Sequence, residues 1–360
     1  MKEIFSIFSR LGVLGFGGPL ATIAMMEEET SRKRKWLTAE QFSEAYALCK
    51  LLPGPVATQM AITLGRLRGG TWGGLLAGSL FILPSFFMVL AFSYFYTHSS
   101  LTQTFSPLFS GMQAGALSVI LLSTFQLAKP YQRKGDAWAI ALASACVVFF
   151  KPALEPLIIL GFGLIGANFS GRFFGKKILS ISPAILVPGL LFWTCFKAGA
   201  FVFGTGLAVV PVLEADVVQK FHWLTHSEFM DGLAIGQVTP GPVVITATFI
   251  GYKAAGLVGA LVATFGIFFP AFVNILFFLP KVWKKMSGTK GAQGFTAWAI
   301  PAVIGSILAT TLQLGLVTLH TPLLIGIFCA LLLISLLWKP PAWAAIPLAG
   351  AVVYAWGLVR

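Results

Sequence analysis

Apolar runs long enough to cross a lipid bilayer follow one another along the whole chain, separated by short polar clusters. Hydrocarbon offers no partner to backbone N–H and C=O groups, so only helices and closed barrels span it. These runs lack the alternation of apolar and polar residues that barrel strands show. The chain is therefore predicted to be an all-α polytopic membrane protein, and its 57% hydrophobic and 10% charged residues fit that class.

Two Pro-Gly-Pro motifs interrupt the apolar runs at matching places. Pro53-Gly54-Pro55 and Pro240-Gly241-Pro242 coincide when the sequence is shifted by 187 residues, and so do Gly12 and Gly199. Many surrounding glycine, proline and aromatic residues coincide as well, which indicates two homologous halves. The predicted units are an N-terminal repeat (1–168), a basic linker (169–182) and a C-terminal repeat (183–360).

The charges of the two halves are distributed in opposite ways. Residues 32–35 are all basic, whereas the equivalent residues 219–222 include one lysine; residues 281–290 hold four lysines, and the equivalent 95–104 hold no lysine or arginine. Cytoplasmic loops are enriched in Lys and Arg, so equivalent loops are predicted on opposite sides of the membrane. Homologous halves in inverted orientation are typical of secondary transporters. The same pattern accounts for the net charge of +13 without nucleic-acid binding.

One apolar stretch in each half is predicted to turn back within the membrane. The loops at 32–35 and 95–104 are predicted on opposite sides, yet two apolar stretches separate them. The stretch centred on Pro-Gly-Pro is the candidate, which gives about ten transmembrane helices plus two re-entrant or broken Pro-Gly-Pro segments. The predicted spans are 5–27 (which Gly17-Gly18-Pro19 could break), 72–96, 105–128, 137–150 and 152–168, then 185–214, 257–280, 293–318, 322–338 and 341–358.

The broken helices are predicted to form an anion-binding site. Proline is favoured in the first helical turn, where the N–H that it lacks would have no partner, so Pro55 and Pro242 are predicted to begin half-helices. The N–H groups of the next residues, Val56 and Ala57 and their counterparts Val243 and Val244, stay free. Free donors and the partial positive charge of a helix N-terminus favour an anion. A packing kink is the alternative, but a matched pair with opposite flanking charges favours a site.

Further glycine-rich breaks and neutral polar side chains within a turn are predicted to complete this site. Lys50 adds a positive charge beside the first motif or, alternatively, extends to the membrane interface. The matched acids Glu44 and Asp231 either carry coupling protons or pair with nearby bases. The predicted binding residues are Gly17, Gly18, Pro19, Lys50, Pro53, Gly54, Pro55, Thr58, Gln59, Gly204, Thr205, Gly206, Gln237, Thr239, Pro240, Gly241, Pro242 and Thr246.

Three segments of the sequence resemble the motifs of a known family. FGGP at 16–19, LCKLLPGP at 48–55 and GQVTPGPV at 236–243 are similar to motifs of the chromate ion transporter family in its long-chain, two-domain form. The resemblance implies a secondary transporter that uses the proton motive force to export chromate, a sulfate-like dianion, across the bacterial cytoplasmic membrane. The substrate itself stays open, because several residues depart from the family pattern: Thr22, Lys50, Val56, Ala57 and Leu207.

Two other classes of function are alternatives to this one. A transporter or channel for another oxyanion such as sulfate shares the predicted architecture. An intramembrane enzyme is less favoured, because the sequence has no phosphate-binding G-x-x-x-x-G-K-[ST] motif, nucleophile elbow or metal-ligand spacing. No cofactor or metal is expected. The predicted partners are a small inorganic oxyanion and the lipid bilayer, and a homodimer is left open.

Overall fold

A computed structural model describes residues 1–16, 18–98, 105–132, 134–151, 154–170, 187–202, 206–278, 290–338 and 340–359. Most of these residues are helical, which confirms the helical class. The first half contains α1 (Lys2–Leu14), α2 (Gly18–Glu27), α3 (Ala39–Leu51), α4 (Val56–His98), α5 (Ser106–Ala128), α6 (Gly135–Phe150) and α7 (Glu155–Ser170). The second contains α8 (Val187–Ala200), α9 (Val209–Glu214), α10 (His226–Val238), α11 (Thr246–Val273), α12 (Lys290–Thr318), α13 (Pro322–Leu337) and α14 (Ala342–Val359).

Each helix from α1 to α7 has a counterpart seven helices later, down to details of the connections. Helices α2 and α9 both continue into a π-helical turn, Glu28–Lys33 and Ala215–Lys220. Lys35 and His222, which follow these turns, have φ of 52° and 51°. Helices α3 and α10 then both start with a capping box, in which a threonine hydroxyl and the side chain three residues later satisfy each other's backbone N–H groups.

Helix α4 is a folded-back pair of arms rather than one long rod. It breaks at Gly69 and Gly70, where Gly70 has φ 65° and ψ −159°, a conformation that glycine adopts without strain. Gly65 contacts Ala77, although twelve residues of straight helix would separate them by about 18 Å. The first arm (56–68) also lies against α3, since Cys49 Sγ is 3.4 Å from the hydroxyl oxygen of Thr63. Helix α3, the first arm and the second arm (71–98) therefore form a zigzag.

The second half repeats the zigzag. Helix α11 breaks at Ala255 and Gly256, and Gly256 has φ 60°. Across this break the hydroxyl oxygens of Thr248 and Thr264 are 2.7 Å apart. Gly236 of α10 contacts Thr246 at the start of α11, so these two helices also run antiparallel. In both halves the Pro-Gly-Pro motif is the tip of a helical hairpin, which is the geometry that a re-entrant segment needs.

The two halves interlock. Helix α1 packs on α4 and α8 packs on α11, each within its own half. The last two helices of each half cross over, because α6 and α7 pack on α12 whereas α13 and α14 pack on α5. Helices α4 and α11 pack on each other between the halves. Contacts that come in such exchanged pairs are the signature of a two-fold relation.

The structure divides two predicted spans. The stretch 5–27, which Gly17-Gly18-Pro19 could break, does divide: its first helix ends at Leu14 and the next begins at Gly18. The stretch 185–214, predicted as one span, is corrected: its first helix ends at Ala200 and the next begins at Val209. In the described part of the chain, four helical stretches are long and apolar enough to cross a membrane, and four apolar helices are shorter. The number of ten spans and the inverted orientation stay predictions, and the linker lies outside the described residues beyond Ser170.

Candidate functional site

The Pro-Gly-Pro loop of each half is tied to the end of the first helix of the other half. The backbone N–H of Gly54 donates to the carbonyl oxygen of Val202, with an N–O distance of 2.7 Å. The N–H of Gly241 donates to the carbonyl oxygen of Gly15 at 3.0 Å. Gly54 and Gly241 are repeat equivalents, and so are Gly15 and Val202. The chain breaks are therefore joined reciprocally across the boundary between the halves.

Glycine is required at the tips of both loops. Gly54 has φ 136° and Gly241 has φ 100°, in the region that other L-residues rarely adopt. A Cβ on Gly241 would lie 2.9 Å from the Ser85 hydroxyl oxygen, and one on Gly54 would lie 3.6 Å from Ala271 Cβ. Ser85 is near the middle of the second arm of α4, so the second loop lies far from either end of that arm. Each loop thus touches the long arm of the opposite half.

Both half-helices begin one residue or more after the predicted position. Helix α4 starts at Val56 and the second half-helix starts with a 3-10 turn at Val243, so Pro55 and Pro242 precede the helices rather than begin them. The backbone N–H of Gln59 donates to the carbonyl oxygen of Pro55 at 2.9 Å, and that of Ile245 donates to the carbonyl oxygen of Pro242 at 2.9 Å. The N–H groups before these first bonds precede the helical ladder and are therefore available as donors.

Three predicted side chains carry buried polar atoms without a hydrogen-bond partner among the described residues. These atoms are the hydroxyl oxygen of Thr58, the amide oxygen of Gln59 and both amide atoms of Gln237. Thr58 and Gln59 are 0% exposed and Gln237 is 7% exposed. An unpaired buried polar group costs about 1–3 kcal/mol, and most such groups in proteins are paired. The concentration of such atoms within a turn of the two breaks indicates a place for a polar ligand.

Comparison of the sequence with known proteins shows which family the chain belongs to. A model of the chromate transporter family matches residues 2–167 and again residues 189–355. The chain belongs to the chromate transporter family. It is 34% identical to a chromate transport protein of Cupriavidus metallidurans, across 98% of this chain and 93% of that protein. It is 33% identical to a probable chromate transport protein of Synechococcus elongatus, across 89% of this chain and 86% of that protein.

The relatives also support the division of this family member into halves. The family model matches once in each half. An uncharacterized transporter of Bacillus subtilis aligns at 28% identity over 172 residues, which are 45% of this chain but 85% of that protein. No solved structure matches the chain. The family and the named relatives are transporters, so the chain is a membrane transporter and not an enzyme.

The first Pro-Gly-Pro loop of this transporter is held by a residue that the sequence analysis missed. The carbonyl oxygen of Pro53 accepts hydrogen bonds from Gln59 Nε2 at 2.8 Å and from Asn274 Nδ2 at 2.7 Å. Asn274 belongs to the second half. An isolated asparagine inside an apolar run was the signal that could have identified it, because an amide in such a run needs a partner. These bonds fix the Gln59 side chain with its amide oxygen unpaired.

The threonines at the second loop have local roles. The Thr239 hydroxyl donates to the carbonyl oxygen of Ile235 at 3.0 Å, and the Thr246 hydroxyl donates to that of Val243 at 3.0 Å. Their hydroxyl hydrogens are therefore engaged by the backbone at helix ends. Their predicted part in anion binding stays a prediction, and the structure gives it no support beyond their position.

The remaining predicted residues differ in how far the structure describes them. Gly18 and Pro19 begin α2, and Gly206 is buried beside Val244 with φ 86°. Pro240 and Pro242 are buried on either side of Gly241. Lys50 lies in the last turn of α3, and its side chain is outside the description. Gly17, Gly204 and Thr205 lie outside the described residues.

The two matched acids have different environments. Glu44 is exposed on α3. Asp231 is 4% exposed on α10, and its carboxylate accepts hydrogen bonds from the Tyr96 hydroxyl at 2.6 Å and from Gln113 Nε2 at 2.8 Å. Both donors are neutral and belong to the first half. The expected pairing with a base is therefore not what the structure shows at Asp231, which instead joins the halves.

Proposed function

We propose that this protein is a secondary active transporter that exports a small oxyanion, chromate in the first instance, across the bacterial cytoplasmic membrane using the proton motive force. The observation that carries the proposal is the reciprocal pair of bonds from Gly54 to Val202 and from Gly241 to Gly15. These bonds hold the chain breaks together between the halves, where helix N-termini and unpaired amides can receive an anion. The names of the relatives supply the choice of chromate.

The proposed halves are inverted relative to each other in the membrane. Exchanged contacts support a two-fold relation, and its axis lies either along the membrane normal or in the membrane plane. An axis along the normal would place equivalent loops on the same side, whereas their reciprocal charges favour opposite sides. With the axis in the plane, the paired loops lie near the midplane, and the two hairpins re-enter from opposite faces. Rocking of one half against the other would then expose the site alternately.

Neutral donors explain how such a site would suit a dianion. Backbone N–H groups and the Gln237 amide offer hydrogen bonds to several oxygens, and the helix ends add partial positive charge without a fixed counter-ion. Sulfate has the same shape and charge as chromate, so the same geometry would bind it. Asp231 stays a candidate for proton coupling in this proposal, whereas the exposed position of Glu44 gives that residue no such support.

Transport into everted membrane vesicles tests the proposal. We expect respiring vesicles to accumulate radiolabelled chromate, to lose the accumulation when an uncoupler is added, and to show competition by sulfate. Flux that continues down the chromate gradient with the same rate after uncoupling would indicate a channel. Absence of chromate and sulfate flux, with normal amounts of protein in the membrane, would reject the proposal.

A further inference from the structure

The second half contains a buried ionic network next to the break that ends α8. Lys197 Nζ on α8 is 2.5 Å from Asp216 Oδ2 in the π-helical turn, and the Asp216 side chain is 9% exposed. His226 Nδ1 on α10 is 3.3 Å from Glu214 Oε1, and the Glu214 side chain is 1% exposed. Glu214 Oε2 also accepts a hydrogen bond from Gln219 Nε2 at 2.8 Å. Four ionisable groups thus lie on three consecutive elements of one half.

A carboxyl group of the first half joins this network. Glu155, the first residue of α7, is 1% exposed, and neither of its oxygens has a hydrogen-bond partner of good geometry among the described residues. The charged groups within electrostatic reach are Lys197, Glu214 and Asp216. The Ser306 hydroxyl of α12 is its neutral neighbour, and that oxygen is 3.2 Å from the Ser144 hydroxyl of α6.

A carboxylate that is buried and unpaired is too costly to persist. Either it binds a proton and becomes neutral, or a cation moves to it. Lys197 is the one cation within its electrostatic reach in the described part of the chain, and Lys197 is already engaged by Asp216. Glu155 therefore has two stable conditions: protonated with the Lys197–Asp216 pair intact, or ionised with Lys197 shared between Asp216 and Glu155.

A proton route to Glu155 would begin at a cavity beside His226. A cavity of about 600 Å³ is lined by His226 together with Gln219, His222 and Glu228. His226 Nδ1 and Glu214 Oε1 are both buried and 3.3 Å apart, so a small rotation of either side chain would align them for transfer of a proton. In this relay the His226 ring binds a proton from the cavity, and the N–H bond at Nδ1 breaks as an O–H bond forms on Glu214. The proton would then pass to Glu155, which lies within electrostatic reach of Glu214, and leave Glu214 ionised again.

We propose that Glu155 is the proton-binding carboxyl that couples this transporter to the proton motive force, with His226 and Glu214 as its relay and Lys197 as its responsive partner. The inference rests on the proposed function and deepens it by naming the coupling site. It assigns coupling to Glu155, whose neutral neighbour is the Ser306 hydroxyl, rather than to Asp231, which two neutral donors hold in place.

The change at Glu155 can reach the Pro-Gly-Pro site through α8. Lys197 lies on the last turn of α8, where its carbonyl accepts from Phe201 N–H. The next residue, Val202, accepts the bond from Gly54. A movement of Lys197 between Asp216 and Glu155 therefore acts on the helix end that holds the opposite loop. Proton binding and anion access would be coupled by this short chain of contacts.

The proposed orientation in the membrane determines from which side protons enter the relay. If the halves are inverted and the basic residues 32–35 face the cytoplasm, the equivalent residues 219–222 face the periplasm. The cavity that includes Gln219 and His222 then opens to the side with the higher proton activity. Protons that enter there and leave towards the cytoplasm would drive export of the anion.

The first half provides the control, because its equivalent acids pair with exposed bases. Glu29, the counterpart of Asp216, pairs with the exposed Lys33 and lies near Arg10, the counterpart of Lys197. Glu27 corresponds to Glu214 but has a 34% exposed side chain and lies 3.8 Å from the exposed Arg32. Ala39 stands at the position of His226. The proposal therefore predicts that Glu214→Gln impairs coupling, whereas Glu27→Gln does not.

The test compares two transport modes in everted vesicles. Exchange of labelled for unlabelled chromate needs anion binding and alternating access but no net proton movement. We expect Glu155→Gln to lower uncoupler-sensitive chromate accumulation about tenfold or more and to change exchange less than about twofold. Glu155→Asp should retain accumulation with a displaced pH profile. Glu27→Gln should behave as wild type in both modes.

The outcomes separate the two proposals. If wild type neither exchanges nor accumulates chromate or sulfate, the proposed function fails, and this inference fails with it. If wild type does both and Glu155→Gln retains uncoupler-sensitive accumulation, only the coupling role of Glu155 is overturned. Should Glu155→Gln be absent from the membrane, Glu155→Asp decides: an unchanged pH profile of accumulation contradicts the proposal, and a displaced profile supports it.

Discussion

The two halves share their backbone geometry but differ in the charges that they bury. Gly54 and Gly241 both have positive φ, and the breaks at Gly70 and Gly256 agree in φ within a few degrees. The acids do not follow this symmetry. In the first half the Glu29 carboxylate pairs with Lys33, whose side chain is 54% exposed, whereas its counterpart Asp216 pairs with Lys197 in a largely buried contact.

This difference distinguishes two groups of residues: the glycines that determine the backbone conformation, and the charged residues that depend on the surroundings of each half. The glycines at the loop tips and at the helix breaks adopt a positive φ that side chains disfavour, and glycine occupies these positions in both halves. Whether a charged residue is favourable at a given position depends on whether that position faces the cytoplasm, the periplasm or other parts of the protein. If the halves are inverted, equivalent positions face different surroundings, and their charges are expected to diverge.

The largest expected difference between the two halves is the side of the membrane from which their equivalent loops can be labelled. In a cysteine-free background, single cysteines at Ser99 and Lys284 are expected to label from opposite sides with a membrane-impermeant reagent, and Arg133 is expected to label from the side opposite to Ser99. All three positions lie outside the described residues, so the expectation rests on the reciprocal charges alone. Equal labelling of positions 99 and 284 from one side would break the inverted comparison.

Substitution of the loop glycines should abolish transport in either half. Gly54→Leu and Gly241→Leu place a side chain at φ 136° and φ 100°, and the second also brings Cβ to 2.9 Å from the Ser85 hydroxyl oxygen. We expect chromate flux to fall to background while the protein still inserts. Gly326→Leu is the control, because nothing lies within 4 Å of its Cβ position. Normal flux in either loop variant would show that the motif is only a kink.

The matched acids should differ in their contribution to stability. Asp231→Leu removes the acceptor of the Tyr96 hydroxyl, at a cost of about 1–3 kcal/mol, and one acceptor of the Gln113 amide, which also donates to Ser227. Glu44→Leu changes an exposed position and is expected to alter the free energy of unfolding by less than about 0.5 kcal/mol. Thermal unfolding in detergent, followed for both variants, measures the difference. Equal shifts would mean that the buried carboxylate does not tie the halves together.

Much of the fold could be predicted because helix ends are marked locally. Proline, glycine and threonine caps fixed the limits of α5, α12 and α13 to within a few residues of the predicted spans. The contacts between loops were not predictable, since no local pattern states that Gly54 meets Val202. Glu155 was missed for the same reason: an acid at the start of a helix is ordinarily an exposed favourable charge, and only the packing of α7 on α12 buries it.

Substitution of Lys50 is expected to have the smallest effect on transport. It also allows a direct comparison of anion affinity with substitution of its counterpart, Gln237. The two residues are repeat equivalents, three residues before each Pro-Gly-Pro motif, and the second half keeps the neutral amide. If the Lys50 ammonium faces the anion, Lys50→Gln replaces a charge-assisted hydrogen bond of about 1.5–3 kcal/mol by a neutral one of about 0.5–1.5 kcal/mol and makes the two positions alike. The net loss of about 1 kcal/mol corresponds to several-fold in affinity. We expect the half-saturating concentration of chromate to rise several-fold, with a different change for sulfate if the lysine sets selectivity. Gln237→Lys, which adds a charge at the equivalent position, is the matched variant. Unchanged half-saturating concentrations for both anions in Lys50→Gln, at equal expression, would leave Lys50 as an interfacial lysine and the site to backbone donors and neutral amides.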